Sequence, residues 1–289
     1  MPIKRWRPLL IAAVVLAALV VMLPGQLASA QGGLDSKKIG FNGVRPTIVL
    51  VHGAWADASS WKGEVLALQS QGFTVVAPPN PLRALSEDSG YLRNFLSTIS
   101  GPVVLVGHSY GGAVITNAAT GNPNVKALVF VDAFIPAQNE VVAQLPGSQS
   151  CLAGSNVDAS KVFNFVQDPA LPAGDVDTYL KAEATSLYPG FAACFANGFS
   201  PRQAAELQAT QRPLAFGAIV EPSGVPAWQT IPSWDLIGTE DHVITRAAQQ
   251  AMANRAGSHV SYFDVGHLGL ILEPDAVVEV IHAAAQATA

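Results

Sequence analysis

The strongest constraint on the fold of this chain is a repeated alternation between residues 47 and 131. Four short apolar runs, Thr47 to Val51, Phe73 to Ala77, Val103 to Val106 and Ala127 to Val131, lack the in–out pattern of a half-exposed strand. Each reads as a strand buried on both faces. Helical stretches separate them. Residues from Ser59 or Ser60 to Gln71 place Trp61, Val65 and Leu68 on one face, and Ser86 to Ile99 does the same with Tyr91, Phe95 and Ile99. Four strand–helix alternations with short connections predict a doubly wound, mostly parallel α/β sheet. Ligands bind such sheets beyond the C-terminal ends of the strands. The residues just after each run therefore carry the functional reading.

The third run is followed at once by Gly107-His108-Ser109-Tyr110-Gly111-Gly112 and then by the apolar stretch Ala113 to Ala119. A strand, a serine bracketed by glycines and a helix form a nucleophile elbow. The turn is so tight that side chains at the bracketing positions would collide, which glycine avoids. Ser109 is the candidate nucleophile. The first run ends in His52-Gly53-Ala54-Trp55, whose small residues let the backbone approach a substrate. The N–H groups of Ala54 and Tyr110 are the expected oxyanion donors.

After Val131 the alternation stops. Residues from about 136 to 231 are rich in Pro, Gly and aromatic side chains, including Phe163, Phe191, Phe195 and Trp228. A structureless loop of this length is improbable in a compact domain. The stretch is expected to be an inserted, helical lid, with helices near Ala159 to Gln167, Val176 to Ser186 and Pro201 to Gln211. Most of its rings are expected to form its own core. Cys151 and Cys194 both fall inside it. In an exported chain an even cysteine count favours a disulfide. That bridge would close a loop of about 44 residues, worth about 4 kcal/mol in the chain-entropy picture. Two separate buried thiols are the alternative.

The strand pattern resumes at Ser233 to Ile237, followed by Gly238-Thr239-Glu240-Asp241-His242, and again at Val260 to Val265, followed by Gly266-His267. A serine hydroxyl needs a base, and the base needs an orienting carboxylate. Of six histidines only His267 follows the final strand in a glycine-flanked loop. His52 belongs to a loop whose backbone matters more than its ring, and His108 points away within the elbow. The acid has three candidates: Asp241 after the penultimate strand, Asp132 at the end of the fourth run, and Glu240 beside Asp241. Asp241 has the best spacing. Asp132 otherwise reads as a loop-pinning residue, and Asp57 as a helix cap.

The first thirty residues stand apart. Lys4, Arg5 and Arg7 precede an apolar run from Leu9 to Leu23, and Ala28-Ser29-Ala30 offers a small-x-small cleavage site before Gln31. This is a secretory signal peptide of the general route, since Trp6 separates Arg5 from Arg7. The run of about 15 residues falls short of the roughly 20 needed to span a bilayer, which disfavours a retained anchor. Residues 31–289 would then be an acidic, secreted or periplasmic protein without stable membrane insertion. The full chain carries a formal net charge of −5. Losing Lys4, Arg5 and Arg7 leaves 13 Lys and Arg against 21 Asp and Glu, or −8. That balance gives no footing for nucleic-acid binding. Hydrophobic residues at 49% against 13% charged suit one large domain with a sizeable core.

Four segments together, Val51-His52-Gly53-Ala54-Trp55, Gly107 to Gly112, Gly238-Thr239-Glu240-Asp241 and Gly266-His267, resemble the α/β-hydrolase superfamily. The match is to the lid-bearing branch of small bacterial serine esterases, which also resembles plant hydroxynitrile lyases and salicylate-type esterases. The resemblance implies an α/β-hydrolase fold, no metal and no organic cofactor. It implies a carboxylic-ester hydrolase acting on a small, apolar ester through Ser109, His267 and Asp241. A carbon–carbon lyase is the second reading. The lyase relatives place a lysine directly after the base, where this chain has Leu268. A non-catalytic binding protein on the same scaffold is the third. Acyl and alcohol specificity and oligomeric state are not legible.

Overall fold

A computed structural model describes residues 44–152 and 158–288. The segment expected to be a signal peptide lies outside the described residues. Six strands form the main sheet: β1 (Thr47–Val51), β2 (Val75–Val76), β3 (Val103–His108), β4 (Val125–Val131), β8 (Ser233–Gly238) and β9 (His259–Phe263). Their order is β2-β1-β3-β4-β8-β9 and every pairing is parallel. Ile48 to Leu50 and Val104 to Val106 are wholly buried, as the runs without alternation predict. Helices α1 (Lys62–Ser70), α2 (Leu85–Leu96) and α3 (Tyr110–Ala118) fall in the connections. The chain runs from β1 outward to β2, then returns to place β3 on the other side of β1. The topological switch point therefore lies between β1 and β3, and their C-terminal ends carry His52 to Trp55 and Ser109.

The expected strand from Phe73 to Ala77 is shorter, only Val75–Val76. It is the sheet edge, with a single pairing partner, and the following prolines cannot extend a ladder.

Between β4 and β8 the insertion is mixed rather than helical throughout. Its elements are α4 (Ala159–Val162), β5 (Phe163–Val166), β6 (Asp177–Leu180), α5 (Phe191–Cys194), α6 (Pro201–Ala209), β7 (Leu214–Ala215) and α7 (Gly217–Val220). Strands β5, β6 and β7 form an antiparallel sheet, with Phe163 opposite Leu180 and Thr178 opposite Leu214. The helix expected from Val176 to Ser186 is thus strand β6. The helix expected from Ala159 gives way to β5 after one turn. Phe163, Phe165, Val166, Thr178 and Tyr179 favour a pleated surface, and cross-strand pairing outweighs the weak local helical pattern. Helix α6 does form where expected. Ser200 caps it with a capping box to Gln203, and Pro201 occupies its first position.

Helices α8 (Arg246–Ala256), α9 (Gly269–Leu272) and α10 (Pro274–Ala287) close the chain. Among the described residues no helix is long and apolar enough to cross a membrane.

Candidate active site

Ser109 sits between β3 and α3 with φ +53° and ψ −123°. A non-glycine residue there is strained, which the packed turn imposes. A Cβ on Gly107 would stand 2.6 Å from the Gly111 carbonyl oxygen, and one on Gly111 would stand 2.5 Å from that of Val51. Both positions therefore require glycine. Gly111 lets the start of α3 rest against the end of β1, which brings the Ala54 loop next to the serine.

The structure brings Ser109, His267 and Asp241 into one chain. His267 Nε2 lies 2.9 Å from Ser109 Oγ, and His267 Nδ1 lies 2.9 Å from Asp241 Oδ2. With the Nδ1 proton donated to the carboxylate, Nε2 accepts the serine hydroxyl. All three residues are buried. Asp241 is fully engaged. Its Oδ1 accepts the N–H groups of Val243 at 2.7 Å and Ile244 at 2.9 Å, and its Oδ2 also accepts Gln249 Nε2 at 2.8 Å. The His267 ring nitrogens meet Asp241 and Ser109 rather than the other acid candidates. Asp132 Oδ1 accepts the Gly238 N–H at 2.6 Å, and the Glu240 carbonyl accepts Asn197 Nδ2 at 2.8 Å. Asp57 caps the short helical turn Ala58–Trp61, as expected.

Ala54 and Tyr110, the expected oxyanion donors, both line a cavity of about 230 Å³ beside Ser109. Tyr110 is the first residue of α3, where a helix leaves its N–H without an internal partner. Its phenol donates to Asp88 Oδ2 at 2.7 Å. Burial pushes the Asp88 carboxyl up to about 6, against the Arg83 N–H and the Tyr110 hydroxyl that it accepts. The rest of the wall is apolar, with Trp55, Phe134, Val142, Phe163 and Ile219 prominent. The insertion thus supplies much of the cavity wall, and among the described residues no charged side chain lines it.

Two histidines do more than the sequence suggests. His108 Nε2 donates to the His267 carbonyl at 2.8 Å, and its ring lies 4.9 Å from the His267 ring. Burial, then the nearby His267, depress its pKa well below the usual imidazole range, so the ring is neutral. His52 accepts the Asn80 N–H on Nε2 and donates from Nδ1 to the Gly53 carbonyl, each at 3.0 Å. It braces the loop that carries Ala54. Only residue type hinted at these roles, because Asn80 and His267 are distant in sequence from the rings they meet. Gln249 was likewise invisible, and Phe195 was legible only as one of the rings of the insertion. The Phe195 ring packs 5.1 Å from the His267 ring, opposite in origin to His108 because it comes from the insertion.

Cys151 and Cys194 are joined by a disulfide, with Cα atoms 5.7 Å apart. The bridge lies against the loop that carries Asp241. Cys151 N–H donates to the His242 carbonyl at 2.8 Å, His242 Nδ1 donates to the Ala193 carbonyl at 3.0 Å, and Ser150 Oγ donates to the Val243 carbonyl at 2.6 Å. The bridge joins two segments of the insertion, where the sequence places both cysteines. It also clasps the acid loop of the main sheet.

The sequence profile of the alpha/beta hydrolase family matches residues 48–280. A carbendazim hydrolyzing esterase from Nocardioides sp. (strain SG-4G) is 37% identical over 112 residues, covering 34% of this chain. The match spans 46% of that relative's length, under half of it. Among solved structures, a pyrethroid hydrolase from Sphingobium faniae JZ-2 is 17% identical with a TM-score of 0.62, covering 84% of this chain and 98% of the other. An extracellular alpha/beta-hydrolase from a Paenibacillus species is 23% identical with a TM-score of 0.62, covering 83% and 98%. At these identities the structural likeness speaks for the fold.

Proposed function

Since the chain belongs to the alpha/beta hydrolase family, we propose that it hydrolyses small, neutral carboxylic esters through a Ser109–His267–Asp241 triad. The observation that carries the reading is the unbroken hydrogen-bonded chain from Asp241 through His267 to Ser109 Oγ, which opens into an apolar cavity. The esterase and hydrolase names of the similar proteins support it.

Ser109 Oγ attacks the ester carbonyl while His267 Nε2 takes its proton. Asp241 holds His267 in the Nδ1–H tautomer and stabilises the imidazolium. The N–H groups of Ala54 and Tyr110 receive the oxyanion, each such donor typically worth about 3 kcal/mol in the transition state. His267 returns its proton to the departing alcohol. Water, deprotonated by the same histidine, then releases the acid from the acyl-enzyme. His267 must be neutral to begin, so the rate falls in acid.

Among the described residues the cavity wall bears no charge to pair with a carboxylate or ammonium, and its volume suits a short acyl group rather than a long lipid chain. Because residues from the insertion line it, the insertion acts as a lid. The signal-peptide reading makes the mature enzyme an exported one beginning at Gln31. N-terminal sequencing of protein recovered from the periplasm or medium tests that.

Two measurements test the function. Hydrolysis of p-nitrophenyl esters from acetyl to palmitoyl should peak at short chains. A fluorophosphonate probe should label the wild type and not Ser109→Ala. Labelling that survives the substitution, or an inert wild type that merely binds ligands, overturns the reading. Cyanide release from mandelonitrile without ester hydrolysis would replace it with a lyase.

A further inference from the structure

Tyr110 serves the mechanism above with its backbone alone, yet its side chain is committed to a charged partner. The phenol is buried and donates to Asp88 Oδ2 at 2.7 Å, between the packed helices α2 and α3. Asp88 is itself wholly buried. Its Oδ1 accepts the Arg83 N–H at 3.0 Å, so each carboxylate oxygen has a donor. Arg83 is anchored in turn. Its guanidinium donates to the Pro213 carbonyl at 3.2 Å and pairs with Asp177 at 2.8 Å. Burial pushes the Asp88 carboxyl up to about 6, which leaves it charged near neutral pH. Burial, then the Asp88 charge, push the Tyr110 phenol well above its usual range, so it keeps its proton. A neutral donor thus meets an anion in a charge-assisted bond.

Stability is a poor reason to bury a charge here. A leucine and a phenylalanine would fill the two positions with nothing to desolvate, and apolar replacement of buried charged pairs is often neutral or stabilising. The backbone supplies a better reason. The peptide group between Ser109 and Tyr110 is held at its carbonyl end, where the Ser109 oxygen accepts the N–H groups of Gly112 at 2.9 Å and Phe134 at 3.1 Å. In a trans peptide the N–H points the opposite way. Those two bonds therefore aim the Tyr110 N–H without fixing its far side. Ser109 also has the strained φ of +53°, which persists only where the surroundings over-determine it. The Tyr110 side chain is a long lever on that peptide, and Asp88 holds its tip.

We propose that Asp88 is a positioning residue of the oxyanion hole: through the Tyr110 phenol it fixes the first turn of α3, and with it the direction of the Tyr110 N–H. The proposal rests on the function reading above, in which that N–H receives the oxyanion. The Ala54 side of the hole is braced separately, by His52. Each oxyanion donor then has its own support, and Asp88 acts at one remove from the substrate.

Two variants and a transition-state analogue test this. Tyr110→Phe keeps the ring and loses only the phenol donor. Tyr110→Phe combined with Asp88→Leu removes the buried charge as well. Each should hydrolyse a short p-nitrophenyl ester with kcat roughly tenfold lower and KM held. The double variant should lose little more than Tyr110→Phe alone, because the same bond is lost in both. It should melt no lower than Tyr110→Phe, since it strands no carboxylate. The analogue is a trifluoromethyl ketone of matching acyl length. Ser109 Oγ adds to its carbonyl carbon, the serine proton passes to His267 Nε2, and the carbonyl oxygen becomes an oxyanion in the hole. Its inhibition constant should rise by the factor that kcat falls, while that of the plain methyl ketone stays constant.

A lower melting temperature with kcat and ketone affinity unchanged assigns the pair to packing and overturns the proposal. So does a kcat loss that the trifluoromethyl ketone does not share, or a loss carried by KM. If Tyr110→Phe does not fold with its carboxylate stranded, the double variant decides. A wild type that binds the two ketones equally refutes the function reading itself. A wild type that prefers the trifluoromethyl ketone, with variants that keep the full preference, refutes the role of Asp88 alone.

Discussion

The six-stranded sheet and the insertion between β4 and β8 are built by different means. In the sheet, strands such as β3 are buried along their whole length, and parallel pairing fixes each strand end to its neighbour. In the insertion, β5 shows three exposed residues of four, and the elements are mostly one turn or one short strand. The insertion is tied down at discrete points instead. These are the Cys151–Cys194 bridge, the Arg83–Asp177 ion pair at 2.8 Å, and the bond from Trp55 Nε1 to the Thr178 carbonyl at 3.1 Å. The sheet holds reacting atoms to within a fraction of an ångström because its position is over-determined. The insertion shapes a cavity wall, a task that tolerates and uses a looser attachment. Damage to the sheet side should therefore appear in kcat, and damage to the insertion in KM and stability.

Ser109→Ala is the sharpest break. Turnover should fall by roughly 10⁴-fold or more while the melting temperature stays near the wild-type value, measured by ester hydrolysis and thermal unfolding. A variant that also unfolds early would show that the strained turn, rather than the hydroxyl, is what the substitution removes. Cys194→Ser probes the other side. Opening the bridge should cost about 4 kcal/mol, or roughly 10 °C in melting temperature, and should raise KM because Leu152 in the cavity wall adjoins Cys151. A loss confined to kcat would locate the bridge's main effect in the Asp241 loop that it clasps and blur the division.

A smaller effect is expected within the core itself. Glu64 in α1 is wholly buried, and among the described residues neither of its carboxyl oxygens has a hydrogen-bond partner. Burial pushes its carboxyl up to about 8. The folded state therefore holds a proton that the unfolded chain has already released above the usual carboxylate range. The stabilisation is complete below that range and is lost as pH rises through about 8. Glu64→Gln should leave stability at pH 5 nearly unchanged and raise the melting temperature at pH 9 by roughly 5 °C, read from unfolding curves across pH. Smallest is Trp55→Phe, which removes the indole donor to Thr178 but keeps the ring. It should cost about 1 kcal/mol of stability and raise KM a few-fold with kcat nearly constant. A tenfold fall in kcat would instead tie this pin to the Ala54 loop.

The same contrast governs how much could be read without coordinates. The strands Thr47–Val51, Val103–His108 and Ser233–Gly238 announce themselves by composition, and their ends locate Ser109, Asp241 and the loop of Ala54. The strand β6 did not, because Asp177-Thr178-Tyr179-Leu180 has no decisive period and becomes a strand only against Phe163 to Val166 and Leu214. Asp132 and Asp241 illustrate the limit at single-residue level. Both are aspartates just beyond strands of one sheet. Spacing along the chain favours Asp241, and the placement of the side chains sets it against His267 and Asp132 against Gly238.

What the sequence alone determined is the sheet, the turn at Ser109 and the small set of side chains at the strand ends. These depend on periodicity, glycine placement and residue type, which neighbours along the chain suffice to set. Tertiary structure decided the partners. It set His267 Nε2 against Ser109 Oγ, 158 residues away, and His267 Nδ1 against Asp241 Oδ2, giving the atoms to partners that spacing along the chain could only favour. It aimed His108 at the His267 carbonyl, set Gln249 against Asp241 and closed an apolar cavity with the insertion. Such contacts join segments far apart in the chain. Burial and the need to satisfy each buried polar group select them, and neither is defined until the chain has packed.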